Sequence, residues 1–86
     1  MQRAWVVSAD YRTLITSLAE IRTGQGVSQR ELARRLGKPS SFVNKIENVE
    51  RRLDVLEFIA ISQALGIPPS KMIATLSEQL PERIEL

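Results

Sequence analysis

An all-α domain of five helices is predicted by three observations on this 86-residue chain. Apolar residues recur at three- and four-residue spacing, most clearly Tyr11, Leu14, Ile15, Leu18 and Ile21. Capping residues, glycines and prolines punctuate the chain at helix-length intervals. The one run with an extended character, Trp5-Val6-Val7, has no second strand with which to pair. The chain has no internal repeat and no low-complexity stretch.

The first helix is expected from about Asp10 to Thr23, capped by Ser8 or Asp10 and ended by Gly24. Gly24-Gln25-Gly26 then reads as a connector; no strand precedes it and no third glycine follows in register, so it is not a phosphate loop. The second helix runs from Ser28 to Leu36. Ser28 with Glu31 makes a capping box, Val27 staples onto Leu32, and Leu32, Ala33 and Leu36 face inward. Gly37 supplies the left-handed residue of a sharp turn. A third helix starts near Pro39 and ends near Asn48, with Val43 and Ile46 inward and Phe42 at the edge. The fourth runs from Asp54 to Leu65, with Asp54 and Glu57 repeating the capping box and Leu53 stapling onto Phe58. Eight of its twelve residues are apolar on more than one face, so it is either central in the core or shared with a partner. The central position is the expectation. After the break at Gly66-Ile67-Pro68-Pro69, a fifth helix carries Pro69, Met72, Ile73, Leu76 and Leu80 on one stripe until Pro81 stops it. The expected organisation is an N-terminal arm (1–9), one domain (10–80) and a short tail (81–86).

Composition excludes several kinds of function. The chain has no Cys and no His, which removes disulfides, thiolate chemistry, the commonest zinc ligand and the commonest general base. No spacing of paired carboxylates or of Ser with Lys marks a catalytic pocket, so no enzyme, metal or cofactor is expected. No apolar stretch approaches the ~20 residues that span a bilayer, and Ala4-Trp5-Val6-Val7 is too short for a signal peptide. A cytoplasmic protein without membrane contact is the expectation. Its net charge is only +2, but the distribution is uneven. Between Arg22 and Arg52 lie eight basic and three acidic residues, a net of +5, leaving the remainder at −3. Such a basic middle fits a polyanion.

That basic stretch contains residues 28–47, which read as two short helices joined by a glycine turn. The second of them leaves Ser40, Ser41, Asn44 and Lys45 outside. This is the arrangement of a helix-turn-helix, in which one helix braces and the next presents its outer face to the DNA major groove.

Residues 22–76 resemble the Cro/CI-type, XRE-like family of helix-turn-helix transcriptional regulators. The resemblance is carried by Ser28-Gln29, Glu31-Leu32-Ala33, Leu36-Gly37, the run Ser41 to Asn48, Arg51, Ala64-Leu65-Gly66 and Met72-Ile73. It covers about two-thirds of the chain. The resemblance implies a lambda-repressor-like five-helix fold that binds double-stranded DNA as a homodimer, each protomer reading one half of a palindromic operator. It assigns base contacts to Ser40, Ser41, Asn44 and Lys45 on a recognition helix at 39–48. Backbone contacts fall to Gln29, Lys38, Asn48, Arg51 and Arg52, and Gln29 also braces the start of the recognition helix. Arg22 and Glu47 match a buried structural ion pair of the family. The chemistry suits these roles. Lys45 can donate to guanine O6 and N7, Asn44 can pair with adenine, and serine hydroxyls discriminate weakly.

Two residues depart from the family pattern. Val49 stands where glycine is usual; a β-branched residue resists positive φ, so the loop is expected to take another path. Glu50 stands where a basic residue is common, to be offset by Arg51 and Arg52 or paired with one of them. Arg51 and Arg52 can instead neutralise Asp54 and Glu57, and Arg30, Arg34 and Arg35 can be ordinary exposed helix residues. Trp5, on the arm, can pack on a partner protomer. The alternative function is that of an antitoxin, which binds a toxin protein as well as its own promoter. The short segment after the fifth helix weighs against it.

Overall fold

Five helices run through residues 7–86, the part of the chain described by this computed structural model. They are α1 (Ala9–Gly24), α2 (Gln29–Leu36), α3 (Ser40–Glu47), α4 (Val55–Ala64) and α5 (Pro69–Ser77). No strand occurs among the described residues. Most of the expected arm, including Trp5, lies outside them.

Local chemistry accounts for the helix starts. Ser8 accepts a hydrogen bond from the Tyr11 N–H (3.1 Å) and opens α1. Val7 beside it is buried in the core, so the packed unit begins before residue 10. The capping box of α4 is complete: the Asp54 carboxylate accepts from the Glu57 N–H (2.7 Å) and the Glu57 carboxylate from the Asp54 N–H (3.0 Å). The box expected on α2 is only half made. Ser28 accepts from the Glu31 N–H (3.0 Å), but the Glu31 carboxylate turns outward to Arg34 and Arg35. Two guanidinium groups one turn away outcompete a single backbone N–H for that carboxylate. The start of α3 is one residue later than expected, because Pro39 is extended (ψ 153°) and caps the helix rather than joining it.

Helix ends differ from expectation in three places. The left-handed residue after α1 is Gly26 (φ 74°), two residues beyond Gly24. The last helix ends at Ser77 instead of reaching Leu80, with Gln79 and Leu80 making short-range turns onto Leu76 and Ser77. Pro81 disfavours the helical region for the residue before it, which stops the helix early. Beyond it, the Glu85 N–H donates to the Asp10 carboxylate (2.8 Å), so the expected tail returns to the first turn of α1.

The third correction is Val49. The loop after α3 does not take another path: Val49 is left-handed at φ 60°. Its N–H donates to Ile46 C=O (3.0 Å) and the Glu50 N–H to Lys45 C=O (2.8 Å), the paired bonds that close a helix on a left-handed residue. The valine side chain is buried at 5% exposure, and this burial holds a conformation that glycine would adopt without strain. Val49→Gly should therefore destabilise by only about 1 kcal/mol, because ~1–2 kcal/mol of strain is relieved as ~1.5–3 kcal/mol of burial is lost. Val43→Gly, in the middle of α3, loses the burial and adds the helix penalty of glycine, about 3 kcal/mol together. Equal losses for the two variants in urea denaturation would mean that Val49 stores no strain.

The core is built from Ile15, Leu18, Leu32, Val43, Ile46, Ile61, Met72 and Leu76. α2 packs on α3 and α4, α1 packs on α3 and α5, and α4 packs on α5. The fourth helix is not wholly central. It buries Ile61 and Ser62, and the Ser62 hydroxyl donates to Phe58 C=O (2.9 Å). At its N-terminal end Val55 and Leu56 stay 75% and 76% exposed. Val55 borders an open groove of about 540 Å3 that also takes in Tyr11, Leu14, Phe58 and Ile73. A helix that is apolar on more than one face has more apolar surface than a core this small can cover.

Candidate nucleic-acid interface

Gly37 (φ 68°) turns the chain between α2 and α3. Val43 and Ile46, each 2% exposed, then lock the inner face of α3 into the core. Two buried residues three apart fix the rotation of so short a helix. Ser40, Ser41, Asn44 and Lys45 consequently all lie exposed. A shallow recess of about 370 Å3 is lined by Gln29, Arg30, Ser40, Ser41 and Asn44. It joins the N-terminal ends of α2 and α3, bringing together four residues expected at the site and adding Arg30. Lys45 lies on the same helix but outside this recess.

Beneath that surface a network of hydrogen bonds ties three elements. Arg22 is 8% exposed and forks onto Glu47, with Nε 2.7 Å from Oε2 and Nη2 2.8 Å from Oε1. Its Nη1 donates to Val27 C=O (2.7 Å), so one guanidinium links α1, the loop before α2, and α3. Gln29 donates to Glu47 Oε1 (2.8 Å) and accepts from Asn44 Nδ2 (3.2 Å). Asn48 Nδ2 donates to Asn44 Oδ1 (3.2 Å) and to Glu50 Oε2 (3.4 Å). The pair Arg22–Glu47 lies where expected, but Gln29 holds the middle and end of α3 rather than its start, and the continuation to Asn48 and Glu50 is not part of the sequence reading above. The available signal was the four-residue spacing of Asn44 and Asn48, which puts two amides on one helix face.

Several basic residues already have partners. Lys38 Nζ lies 5.5 Å and the Arg51 guanidinium 4.9 Å from the centre of the Phe42 ring, so one half-buried aromatic gathers two expected backbone contacts. The Arg52 guanidinium sits 4.7 Å from the Tyr11 ring. Arg51 pairs with Glu57 across the loop (2.9 Å), one of the two pairings left open for it. That hydrogen bond holds the Glu57 carboxyl below its ordinary value and pushes the Arg51 guanidinium up. Arg34 and Arg35 hold the exposed Glu31 carboxyl down at about 2. Arg35 Nη1 also donates to Ala64 C=O at the end of α4 (3.0 Å).

These depressed carboxyl groups fix the sign of the acid response. A carboxyl with a folded pKa below its unfolded one stabilises the fold above the unfolded value, and the gain is lost as pH falls through the folded value. Stability should decline from about pH 5 downward. Arg51→Gln should flatten part of that decline; urea midpoints measured from pH 7 to pH 2 check this, and an acid limb identical to that of the wild type counts against it.

Comparison with known proteins places this geometry in context. A helix-turn-helix family model (HTH_3) matches residues 18–72, more than half of the chain. An XRE-family like protein from Pseudomonas syringae pv. tomato str. DC3000 has a similar solved structure, with a TM-score of 0.76 and 45% identity, covering 85% of this chain and 89% of that one. The restriction-modification controller protein C.AhdI from Aeromonas hydrophila gives a TM-score of 0.67 at 31% identity, covering 76% of this chain and 98% of its own. Among curated sequences, the propionyl-CoA carboxylase regulator of Cereibacter sphaeroides is 29% identical over 63 residues. That match takes in 73% of this chain but only 14% of the relative's length.

Proposed function

This chain belongs to the XRE-type helix-turn-helix family of DNA-binding transcriptional regulators, and from that premise we propose that it reads a palindromic operator as a homodimer, with α3 in the major groove. The observation that carries the reading is the orientation of α3: Val43 and Ile46 are buried while Ser40, Ser41, Asn44 and Lys45 are exposed together. In this reading those four residues meet base edges, and Gln29, Lys38, Asn48, Arg51 and Arg52 hold the phosphate backbone. Arg30, which shares the recess with Gln29, joins the backbone contacts.

Support for a homodimer comes from exposed apolar surface on α4 and α5. Val55 and Ile73 expose 75% and 54% of their surface on one apolar groove, and Leu56, next to Val55 in the chain, is 76% exposed. An apolar patch of this kind can meet its own copy across a two-fold axis, and that axis matches the symmetry of a palindrome. Among the described residues no helix is long and apolar enough to cross a membrane. Nothing in the fold or among the relatives favours the antitoxin alternative.

Selection from random duplex DNA tests the proposal. A palindrome with half-sites about one helical turn apart, ~34 Å, is the expected result. Enrichment of no sequence at all would overturn it. On the selected operator, Lys45→Ala should weaken binding by about 1–3 kcal/mol and relax preference at one base pair per half-site. Uniform weakening on every sequence would make Lys45 a phosphate contact only.

A further inference from the structure

We propose that Phe42 is a positioning residue for DNA binding, the aromatic ring that gathers Lys38 and Arg51 against the backbone of one strand. The inference rests on the operator reading above and extends it to a residue that reading leaves without a role. At 3.6 residues per turn, Phe42 and Glu47 fall on opposite edges of the buried pair Val43 and Ile46. Both edge residues are half-buried. The Glu47 edge meets Gln29 at the start of α2. The Phe42 edge meets Lys38 and Arg51 instead. A helix about 10–12 Å across fills a major groove about 12 Å wide, so its two edges face the backbones of the two strands. With Gln29 at one backbone, Lys38 and Arg51 stand at the other.

The chain delivers these two cations to the ring from opposite ends of α3. Lys38 lies in the turn before it, where its backbone N–H donates to Ala33 C=O (2.9 Å). Arg51 lies in the loop after it, which folds back along the helix as the Arg51 N–H donates to Lys45 C=O (3.3 Å). Arg51 is held by Glu57 (2.9 Å) as well as by the ring (4.9 Å). For the Lys38 ammonium the ring, at 5.5 Å, is the one group in contact among the described residues. The hydrogen bond from Arg51 is the main cause that lowers the Glu57 carboxyl, and the charge of Lys38 is a smaller one, so these side chains form one cluster. A lysine has a flexible four-carbon stem, and fixing it on DNA costs conformational entropy. An ammonium held over an aromatic face has lost part of that freedom before binding. Phosphates are alike in every sequence, so the gain falls on all duplexes equally.

The test measures the affinity of the full chain for the selected operator and for a scrambled duplex, with every variant checked for unchanged helicity. Phe42→Leu keeps an apolar side chain and removes the ring. It should weaken binding to both duplexes about three- to tenfold and leave the selected sequence unchanged. Phe42→Tyr keeps the ring and should bind as the wild type does. In the Lys38→Ala/Arg51→Gln background the ring has neither cation to hold, and there Phe42→Leu should cost less than about twofold. Equal losses from Phe42→Leu in the two backgrounds would reduce Phe42 to a packing residue and overturn the inference. Unchanged binding by Phe42→Leu, or a loss from Phe42→Tyr as large as that from Phe42→Leu, would overturn it too. So would a changed base preference in Phe42→Leu, which would make the ring a base contact. Selection of no sequence by the wild type would instead overturn the operator reading, and this inference with it.

Discussion

Arg22→Met should destabilise the domain by about 3–5 kcal/mol, the expected effect of removing one partner of a buried ion pair. The side chains of Arg22 and Glu47 are 9% and 13% exposed, so the carboxylate left behind cannot reach bulk water. Gln29 would be its one remaining donor within the network described above. The variant also removes the guanidinium bond to Val27 C=O, and with it one hold on the loop before α2. A small domain has roughly 5–15 kcal/mol of total stability, so this one substitution removes a large share of it. Urea denaturation followed by circular dichroism at pH 7 gives the number. The double variant Arg22→Met/Glu47→Leu should recover most of the loss, because a matched apolar pair carries no stranded charge. A single-variant loss below about 1 kcal/mol would mean that solvent reaches Glu47.

The second large effect is on binding. Val55→Asp with Leu56→Asp should leave the fold within about 0.5 kcal/mol of the wild type, because both side chains face solvent in the single chain. The same change puts charge on the groove assigned to the second copy, at Val55, and on the exposed Leu56 next to it in the chain. Sedimentation should then report a monomer, and operator affinity should fall about 10²–10⁴-fold, the scale of avidity that a linked pair of half-sites confers. A half-site duplex, which engages one protomer, should show little change. A variant that still sediments as a dimer would remove this face from the proposal.

The fold was legible in the sequence because its signals are local. The stripe from Tyr11 to Ile21, the capping pair Asp54 and Glu57, and the turn at Gly37 each act within a few residues, and each lies where expected. Errors arose where tertiary structure overrides local preference. Val49 accepts positive φ because the core claims its side chain, which its β-branched character alone argues against. Glu31 abandons its capping role because two arginines lie one turn away. The apolar face of α4 could not be assigned to core or surface from composition, since both environments favour the same residues. At the candidate site, the outward set on α3 followed from the inward pair Val43 and Ile46. The chain of amides from Gln29 to Asn48 did not, because the contact from Gln29 to Asn44 crosses between helices and depends on how they pack.

The ion pairs bear on how the protein would respond to its ionic surroundings. Of the eight basic residues between Arg22 and Arg52, Arg22, Arg34, Arg35 and Arg51 already hold carboxylates of the same chain. A phosphate that meets one of these must displace an internal anion, so less of its charge is available to expel condensed counterions from DNA. Each phosphate fully neutralised steepens the dependence of log K on log salt concentration by about 0.9. The expected slope is set by backbone contacts such as Arg30 and Lys38 and is below what the count of basic residues implies. Binding should therefore still weaken as ionic strength rises, but less steeply than eight unpaired basic residues per protomer would make it.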